Sequence, residues 1–214
     1  MSETLKRVLV AIAMLAIVVV AGVLEYYNIP AVRWLSVFVA VGMVYEMVNC
    51  LFNAKRDVIA QHGFLFFGFL AWLVMLVAAA YYVSSNVRNI LLLLVIICTA
   101  DVAAWFFGRL FGSDKLWERV SEHKTWAGQI AGVVCGAVVA VFCGPLILGN
   151  HFSQLLWIGI SIALLSQYGD LTSSWVKRKL GIKDFGTILP GHGGLIDRFD
   201  GWIYVLPLVW LILA

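Results

Sequence analysis

The sequence predicts an all-α integral membrane protein, a polytopic bundle of transmembrane helices with its N-terminus in the cytoplasm. Of 214 residues, 63% are hydrophobic and 13% are charged, and the mean hydropathy is +0.96. Water cannot be the main solvent of such a chain. Because lipid offers no partner for free backbone groups, and the apolar windows lack the alternation of a membrane barrel, each window is expected to be a helix. No linker divides the chain, so residues 1–214 are interpreted as a single integral membrane domain.

About seven apolar windows approach the roughly 20 residues that cross a bilayer. They cover residues 8–24, 31–52, 63–83, 89–107, 127–149, 154–175 and 199–214. The first window follows Lys6 and Arg7, as in a secretory signal peptide. Its apolar run is longer than that of a signal peptide, and Glu25-Tyr26-Tyr27 follows it as at a membrane interface, so we expect an uncleaved anchor.

Loop charges predict the orientation, because Lys and Arg are retained on the cytoplasmic side. With the N-terminus inside, 13 of the 15 Lys and Arg residues fall in cytoplasmic segments, and only Arg33 and Arg88 fall on the far side. The two longest polar stretches, 108–126 and 176–198, then share the cytoplasmic face. We expect them to build one site there.

Three acids lie inside apolar windows, each expected about five to seven residues before the cytoplasmic end of its span: Glu46, Asp101 and Asp170. An ionisable group in a bilayer is costly, so a functional role is the first hypothesis. For Glu46, a structural hydrogen bond or a water-facing position is the favoured alternative, and Asp101 stays open. For Asp170 a functional role is favoured, because Lys177 and Arg178 follow within eight residues.

The segment from Ser166 to Asp200 concentrates charge of both signs. Carboxylates that hold hard cations alternate there with Lys and Arg that can neutralise phosphate oxygens: Asp170, Lys177, Arg178, Lys179, Lys183, Asp184, Asp197, Arg198 and Asp200. Helical spacing places Asp170, Ser174 and Lys177 or Arg178 on one face. Asp197 and Asp200 are one turn apart if the last span begins near Leu195.

Pro190-Gly191-His192-Gly193-Gly194 cannot sustain a helix. Its glycines let backbone approach a ligand closely, and successive N–H groups can form an anion-binding nest. His192 can donate to phosphate. By itself such a turn is more often a plain loop, but the charges on both sides favour a site.

These residues resemble the signature of the CTP:phosphatidate cytidylyltransferases, also called CDP-diacylglycerol synthases. That signature is a Ser, then Lys-Arg, Lys-Asp, His-Gly-Gly and Asp-Arg-x-Asp at fixed spacing, and it is met throughout Ser174 to Asp200. Residues 101–112 and 121–126 are also similar, except that Glu122-His123 stand where the family usually has Pro-Gly. Residues 101–214 are therefore interpreted as the catalytic part, and 1–100 as variable N-terminal spans.

The resemblance implies transfer of the cytidylyl group of CTP to phosphatidic acid, giving CDP-diacylglycerol and pyrophosphate for phospholipid biosynthesis. It implies Mg²⁺ as cofactor, with a second cation left open, held by Asp170 and Asp197 with Asp184 and Asp200 as weaker candidates. The implied catalytic residues are Lys177, Asp170, Asp197 and His192. The implied phosphate-binding residues are Lys124, Arg178, Lys183, Arg198, Gly193 and Gly194.

The expected location is a bacterial inner membrane with the site facing the cytoplasm, and no nucleic-acid partner is expected. Gly128, Gly132 and Gly136 allow close helix contact, either within one chain or across a homodimer. A CTP-dependent kinase of a polyprenol-type lipid is the closest alternative function. An ion-coupled transporter is less favoured, because no internal repeat is visible, and a CDP-alcohol phosphotransferase lacks its motif here.

Overall fold

The computed structural model describes residues 3–148 and 152–213. Two of the predicted windows end outside this part of the chain, at residues 149 and 214. Over the described residues the chain forms eight helices and two short strands, in the order α1 (Glu3–Tyr26), α2 (Ala31–Asn53), α3 (Arg56–Val83), α4 (Val87–Phe111), β1 (Lys115–Trp117), β2 (Ser121–Thr125), α5 (Trp126–Leu148), α6 (Phe152–Leu180), α7 (Ile196–Phe199) and α8 (Trp202–Leu213). The predicted helical membrane protein is confirmed.

Six helices, α1 to α6, are long and apolar enough to cross a membrane. The seventh predicted window corresponds to α8, which has 12 residues in the described part. At 1.5 Å per residue α8 rises about 18 Å, less than the ~30 Å hydrocarbon core. A seventh crossing therefore stays a prediction.

Large apolar side chains on these helices are widely exposed. Phe64 is 91% exposed, Leu146 88% and Phe52 83%. In water such a surface would be an aggregation hazard. A lipid solvent explains why the helices carry apolar residues on outward faces as well as inward ones.

The chain forms two compact units, and the first comprises Met1–Val87 with Val176–Ala214. In it α2 packs against α1 and α3, and α3 packs against α8. Met43, Phe66 and Ile203 are almost completely buried in its core. The Trp72 indole N–H donates to the Ile203 carbonyl oxygen at 2.9 Å, which connects α3 to the start of α8.

The second unit, Arg88–Trp175, is organised around the glycines of α5. A side chain added at Gly132 would lie 2.8 Å from the Ala100 carbonyl oxygen in α4, and one at Gly136 would lie 2.8 Å from Ala163 in α6. The Gly-x-x-x-Gly spacing therefore lets α5 approach both neighbours within one chain. The intrachain alternative is supported, and a homodimer stays a prediction without support from this motif.

The polar stretch 108–126 contains the two β-strands of the described residues. β1 and β2 form an antiparallel hairpin that pairs Lys115 with Thr125 and Trp117 with Ser121. Thr125 then caps the start of α5, because its Oγ1 accepts the Gly128 N–H at 3.2 Å. The hairpin thus sets the position of the residue before this cap, Lys124.

Candidate functional site

One group of predicted residues lies in the second unit, and we name it the Asp170 cluster: Asp101, Lys124, Asp170 and Ser174. The Lys124 Nζ lies 2.6 Å from Asp170 Oδ2, and these side chains are 23% and 41% exposed. Ser174 Oγ donates to Asp170 Oδ1 at 3.4 Å. Asp101 lies close enough to interact electrostatically with both Asp170 and Lys124. Asp170 therefore pairs directly with the Lys124 ammonium, and Asp101 adds a second negative charge nearby.

The elements that form the Asp170 cluster explain its position. Lys124 comes from β2, Asp101 from α4 and Asp170 from α6. Both helices continue past the ends predicted from hydropathy, since Asp101 and Asp170 each lie ten residues before the last residue of their helix. The predicted five to seven residues was too short for these two acids, because each helix continues past its apolar window through basic residues, Arg109 in α4 and Lys177 to Lys179 in α6.

A second group lies in the first unit, the Asp197 cluster: Lys177, Asp184, Gly193, Gly194 and Asp197. Lys177 Nζ lies 2.8 Å from Asp197 Oδ1, with the side chains only 16% and 6% exposed. The other oxygen, Oδ2, accepts the N–H of Phe185 at 2.8 Å and of Gly194 at 2.9 Å. Asp197 therefore accepts from three donors, one of them the charged Lys177 ammonium.

The glycine-rich loop wraps around this carboxylate. Gly191 and Gly193 have φ of 77° and 85°, which side-chain-bearing residues rarely adopt. The Leu189 N–H donates to the Gly193 carbonyl at 3.0 Å and closes the loop. A side chain on Gly193 would lie 3.1 Å from Asp197 Oδ2 and 3.4 Å from Asp184 Oδ1. Because residue 193 has no side chain, space remains beside Asp197 and Asp184, the two acids here that the sequence predicted to be metal ligands.

The N–H groups at the end of this loop face carboxylates of the protein itself. Gly194 donates to Asp197, and the next two N–H groups, of Leu195 and Ile196, donate to Glu46 at 2.9 Å each. Of these three N–H groups, only that of Gly194 belongs to the loop that was predicted to bind an anion. A contact between Gly194 and substrate phosphate stays a prediction.

Glu46 is the acid for which the sequence favoured a structural hydrogen bond or a water-facing position. Its side chain comes from α2 and is 2% exposed, and both of its oxygens accept backbone N–H groups. The structural hydrogen bond favoured from the sequence is therefore confirmed. The sequence did not show which groups Glu46 would bind. The signal that it did contain was a lone acid inside an apolar window.

The other predicted residues of the first unit make fewer contacts or more local ones. Arg198 Nε donates to the His192 carbonyl oxygen at 2.7 Å, and Asp200 Oδ1 accepts the Gly201 N–H at 2.9 Å. His192 Nδ1 is buried and has no hydrogen-bond partner among the described residues. Arg178 is exposed and, with Asp184, lines a cavity of about 490 Å³. Lys183 is also exposed.

Metal binding by these acids stays a prediction. In residues 3–148 and 152–213, no three His, Cys, Asp or Glu side chains are arranged to hold an ion. Asp170 and Asp197 belong to different compact units, and a shared ion is a prediction of the sequence. The carboxylate donors themselves are of the kind that Mg²⁺ prefers.

Known proteins give an independent comparison. A phosphatidate cytidylyltransferase of Staphylococcus epidermidis is 40% identical over 131 residues, which is 61% of this chain and 50% of that protein. Those of Staphylococcus saprophyticus and Staphylococcus aureus (strain COL) are 39% and 38% identical over 134 residues, with the same coverage. The chain therefore spans about half the length of the curated relatives that it matches.

The match to a whole family is more extensive than the match to these relatives. The model of the cytidylyltransferase family covers residues 1–214, so it includes the N-terminal spans as well as the signature segment. This coverage confirms the resemblance found in the Ser174–Asp200 motif, and the chain belongs to the cytidylyltransferase family.

Proposed function

We propose that this chain transfers the cytidylyl group of CTP to phosphatidic acid, giving CDP-diacylglycerol and pyrophosphate. The observation that carries the proposal is the Asp197 cluster, in which the signature residues Lys177 and Asp197 form a nearly buried pair at 2.8 Å. The family membership and the name of the staphylococcal relatives support the same reaction.

In this reaction an oxygen of the phosphatidate phosphate attacks the α-phosphorus of CTP. A new P–O bond forms, the bond from the α-phosphorus to the bridging oxygen of the β-phosphate breaks, and pyrophosphate leaves with that electron pair. The nucleophile is already ionised, so no general base is needed. The chemical problem is electrostatic, because two polyanions must meet and the leaving group gains charge.

Cationic side chains of the chain answer that problem. Lys177 is held by Asp197 and Lys124 by Asp170, so each ammonium has a fixed position before substrate binds. Fixed charge needs little reorganisation during the reaction. Arg178, Lys183 and Arg198 would bind phosphate oxygens from more exposed positions, and the His192 imidazole would donate to phosphate.

A divalent cation, for which we propose Mg²⁺, would polarise the α-phosphate and offset charge on the leaving pyrophosphate. Asp170 and Asp197 would hold it, with Asp184 and Asp200 as weaker candidates. Asp170 and Asp197 each pair with a lysine ammonium within 2.8 Å, so both carboxylates lie in surroundings that favour a cation. Their carboxylate oxygens are hard donors suited to Mg²⁺.

We place the reaction at the cytoplasmic face of a bacterial inner membrane. The bias of Lys and Arg toward one set of loops supports this orientation. CTP is water-soluble, whereas phosphatidic acid stays in the bilayer, so a site near one end of the membrane helices meets both substrates.

The test is a product assay with purified protein in liposomes containing phosphatidic acid, supplied with labelled CTP and Mg²⁺. We expect lipid-linked cytidine and pyrophosphate in equal amounts. Lys177→Met should lose this activity, whereas Lys115→Met, the same change at an exposed hairpin lysine, should keep it. CDP release with a phosphorylated lipid would identify a CTP-dependent lipid kinase. Folded protein that yields neither product pair would exclude the proposal.

The proposed metal ligands have a separate test. Asp170→Asn and Asp197→Asn keep side-chain size but remove charge, so each should abolish most turnover. If both acids bind one ion, the double variant should be scarcely worse than the worse single variant, since residues that act through one ion are not additive. Multiplicative losses with an unchanged Mg²⁺ dependence would show that they do not share an ion.

A further inference from the structure

We infer that Glu46, in the second helix of the chain, is the positioning residue for Asp197 and the loop that precedes it. The inference rests on the proposed function for its activity readout. Glu46 is not part of the Ser174–Asp200 signature, and its partners lie 149 and 150 residues further along the chain.

The first support is the geometry of the two hydrogen bonds. Glu46 Oε1 accepts the Leu195 N–H and Oε2 accepts the Ile196 N–H, both at 2.9 Å. α7 begins at Ile196, and its N-cap residue, Leu195, makes no side-chain capping bond. Glu46 therefore supplies from α2 the acceptors that a local Ser, Thr or Asp would normally supply.

The second support is that the surrounding backbone is shaped for this carboxylate. A side chain at Gly186 would lie 2.6 Å from Glu46 Oε1, and one at Gly194 would lie 2.5 Å from Oε2. Neither glycine is among the positive-φ residues of the described chain. Close approach of the Glu46 carboxylate explains their lack of a side chain, and backbone conformation does not.

The third support is the direct connection to the Asp197 cluster. The N–H groups of Gly194, Leu195 and Ile196 are consecutive, and the first donates to Asp197 while the others donate to Glu46. Rotation of this backbone would therefore change both acids' contacts together. By fixing residues 195 and 196, Glu46 fixes the residue that follows them, Asp197, against Lys177.

The buried position makes this contact difficult to replace. Glu46 is 2% exposed, so water cannot easily take over either N–H group if the carboxylate is removed. Glu46→Gln is the sharpest change, because the amide keeps the shape but presents an NH₂ group to one of the two donors. One hydrogen bond is lost and two donors then face each other.

The experiment compares Glu46→Gln with wild type, and a thermal transition first shows that both proteins are folded. The measured quantities are kcat, KM for CTP and the Mg²⁺ concentration that gives half-maximal activity. Loss of a buried hydrogen bond costs a free energy equivalent to about a tenfold change in an equilibrium constant. We therefore expect kcat to fall tenfold or more. We also expect the half-maximal Mg²⁺ concentration to rise several-fold, because Asp197 is displaced. A purely structural role would reduce the folded fraction and leave the Mg²⁺ dependence unchanged.

Glu25→Gln is the matched control, since Glu25 Oε2 also accepts a backbone N–H, that of Val32 at 3.2 Å, between α1 and α2. It should leave all three kinetic quantities as in wild type. Gly186→Ala should produce the same defect by another means, because its methyl group would displace the Glu46 carboxylate while residue 46 itself is unchanged. The double variant of Glu46→Gln and Gly186→Ala should be little worse than the worse single variant.

Wild-type kinetics in Glu46→Gln, with the wild-type enzyme active, would overturn the inference and leave the proposed function intact. If Glu46→Gln does not fold, Gly186→Ala decides: an altered Mg²⁺ dependence supports the inference and wild-type behaviour overturns it. An inactive wild-type protein would count against the proposed function, and the thermal stability of Glu46→Gln against Glu25→Gln would still test the anchoring contact.

Discussion

Replacing Lys177 with methionine removes the charged partner of Asp197 and keeps an unbranched side chain of similar length. The Asp197 side chain is 6% exposed, so the remaining carboxylate stays largely out of water. Breaking a buried ion pair costs 3–5 kcal/mol, and two backbone N–H donors remain on Asp197, so we expect about 3 kcal/mol of lost stability. For a chain of this size that corresponds to a fall in Tm of about 6–12 °C.

The pair of Lys124 and Asp170 gives a comparison within the same protein. Its side chains are 23% and 41% exposed, so solvent screens the interaction despite the shorter distance of 2.6 Å. Lys124→Met should therefore cost about 1 kcal/mol or less. Both variants are measured by thermal unfolding in one detergent with a chelator present, so that no divalent cation replaces the missing ammonium.

The physical reason is tested by a second substitution. Asp197→Asn removes the uncompensated charge and, in the Lys177→Met background, should recover about half or more of the lost Tm. Equal losses for Lys177→Met and Lys124→Met would refute the argument from burial. Failure of Asp197→Asn to recover stability would show that the cost does not come from an unpaired carboxylate.

Two further predictions concern topology and packing. In a cysteine-free background, a cysteine at Ser113 should be protected from an impermeant thiol reagent applied to intact cells. A cysteine at Arg88 should react with the same reagent. Labelling at Ser113 from outside would reverse the proposed orientation. Gly132→Ala should cost about 1–3 kcal/mol of stability, seen as a lower Tm, because its methyl group would lie 2.8 Å from the Ala100 carbonyl oxygen. Gly68→Ala, where nothing lies within 4 Å, should keep or raise the Tm, and a similar loss at both positions would contradict the packing argument.

Local properties of the chain made the fold predictable in outline. Hydropathy over about 20 residues indicated six windows that are indeed long helices, because a helix satisfies its own backbone groups without distant partners. The helix ends were less predictable. α6 continues to Leu180 through charged residues that a hydropathy window excludes. The hairpin at Lys115–Thr125 was also missed, since cross-strand pairing is not a property of either strand alone.

The candidate site was predictable as a set of residue types and only partly as a set of contacts. The signature segment contained Lys177, Asp197 and the glycine loop, and the structure brings these together. Lys124 and Asp170 were both selected, but their pairing was not anticipated. The spacing of charges along a chain shows what chemistry is available, whereas pairing depends on how the helices pack.

The sequence by itself determined the solvent of this protein, the helical form of its spans and its family, because composition, periodicity and a fixed motif are readable in order along the chain. Only the tertiary structure decided what Glu46 does and which lysine each aspartate holds. Lys177 and Asp197 are 20 residues apart, and Glu46 is about 150 residues from its partners. Contacts over such separations depend on helix packing and buried hydrogen bonding, which no local pattern specifies.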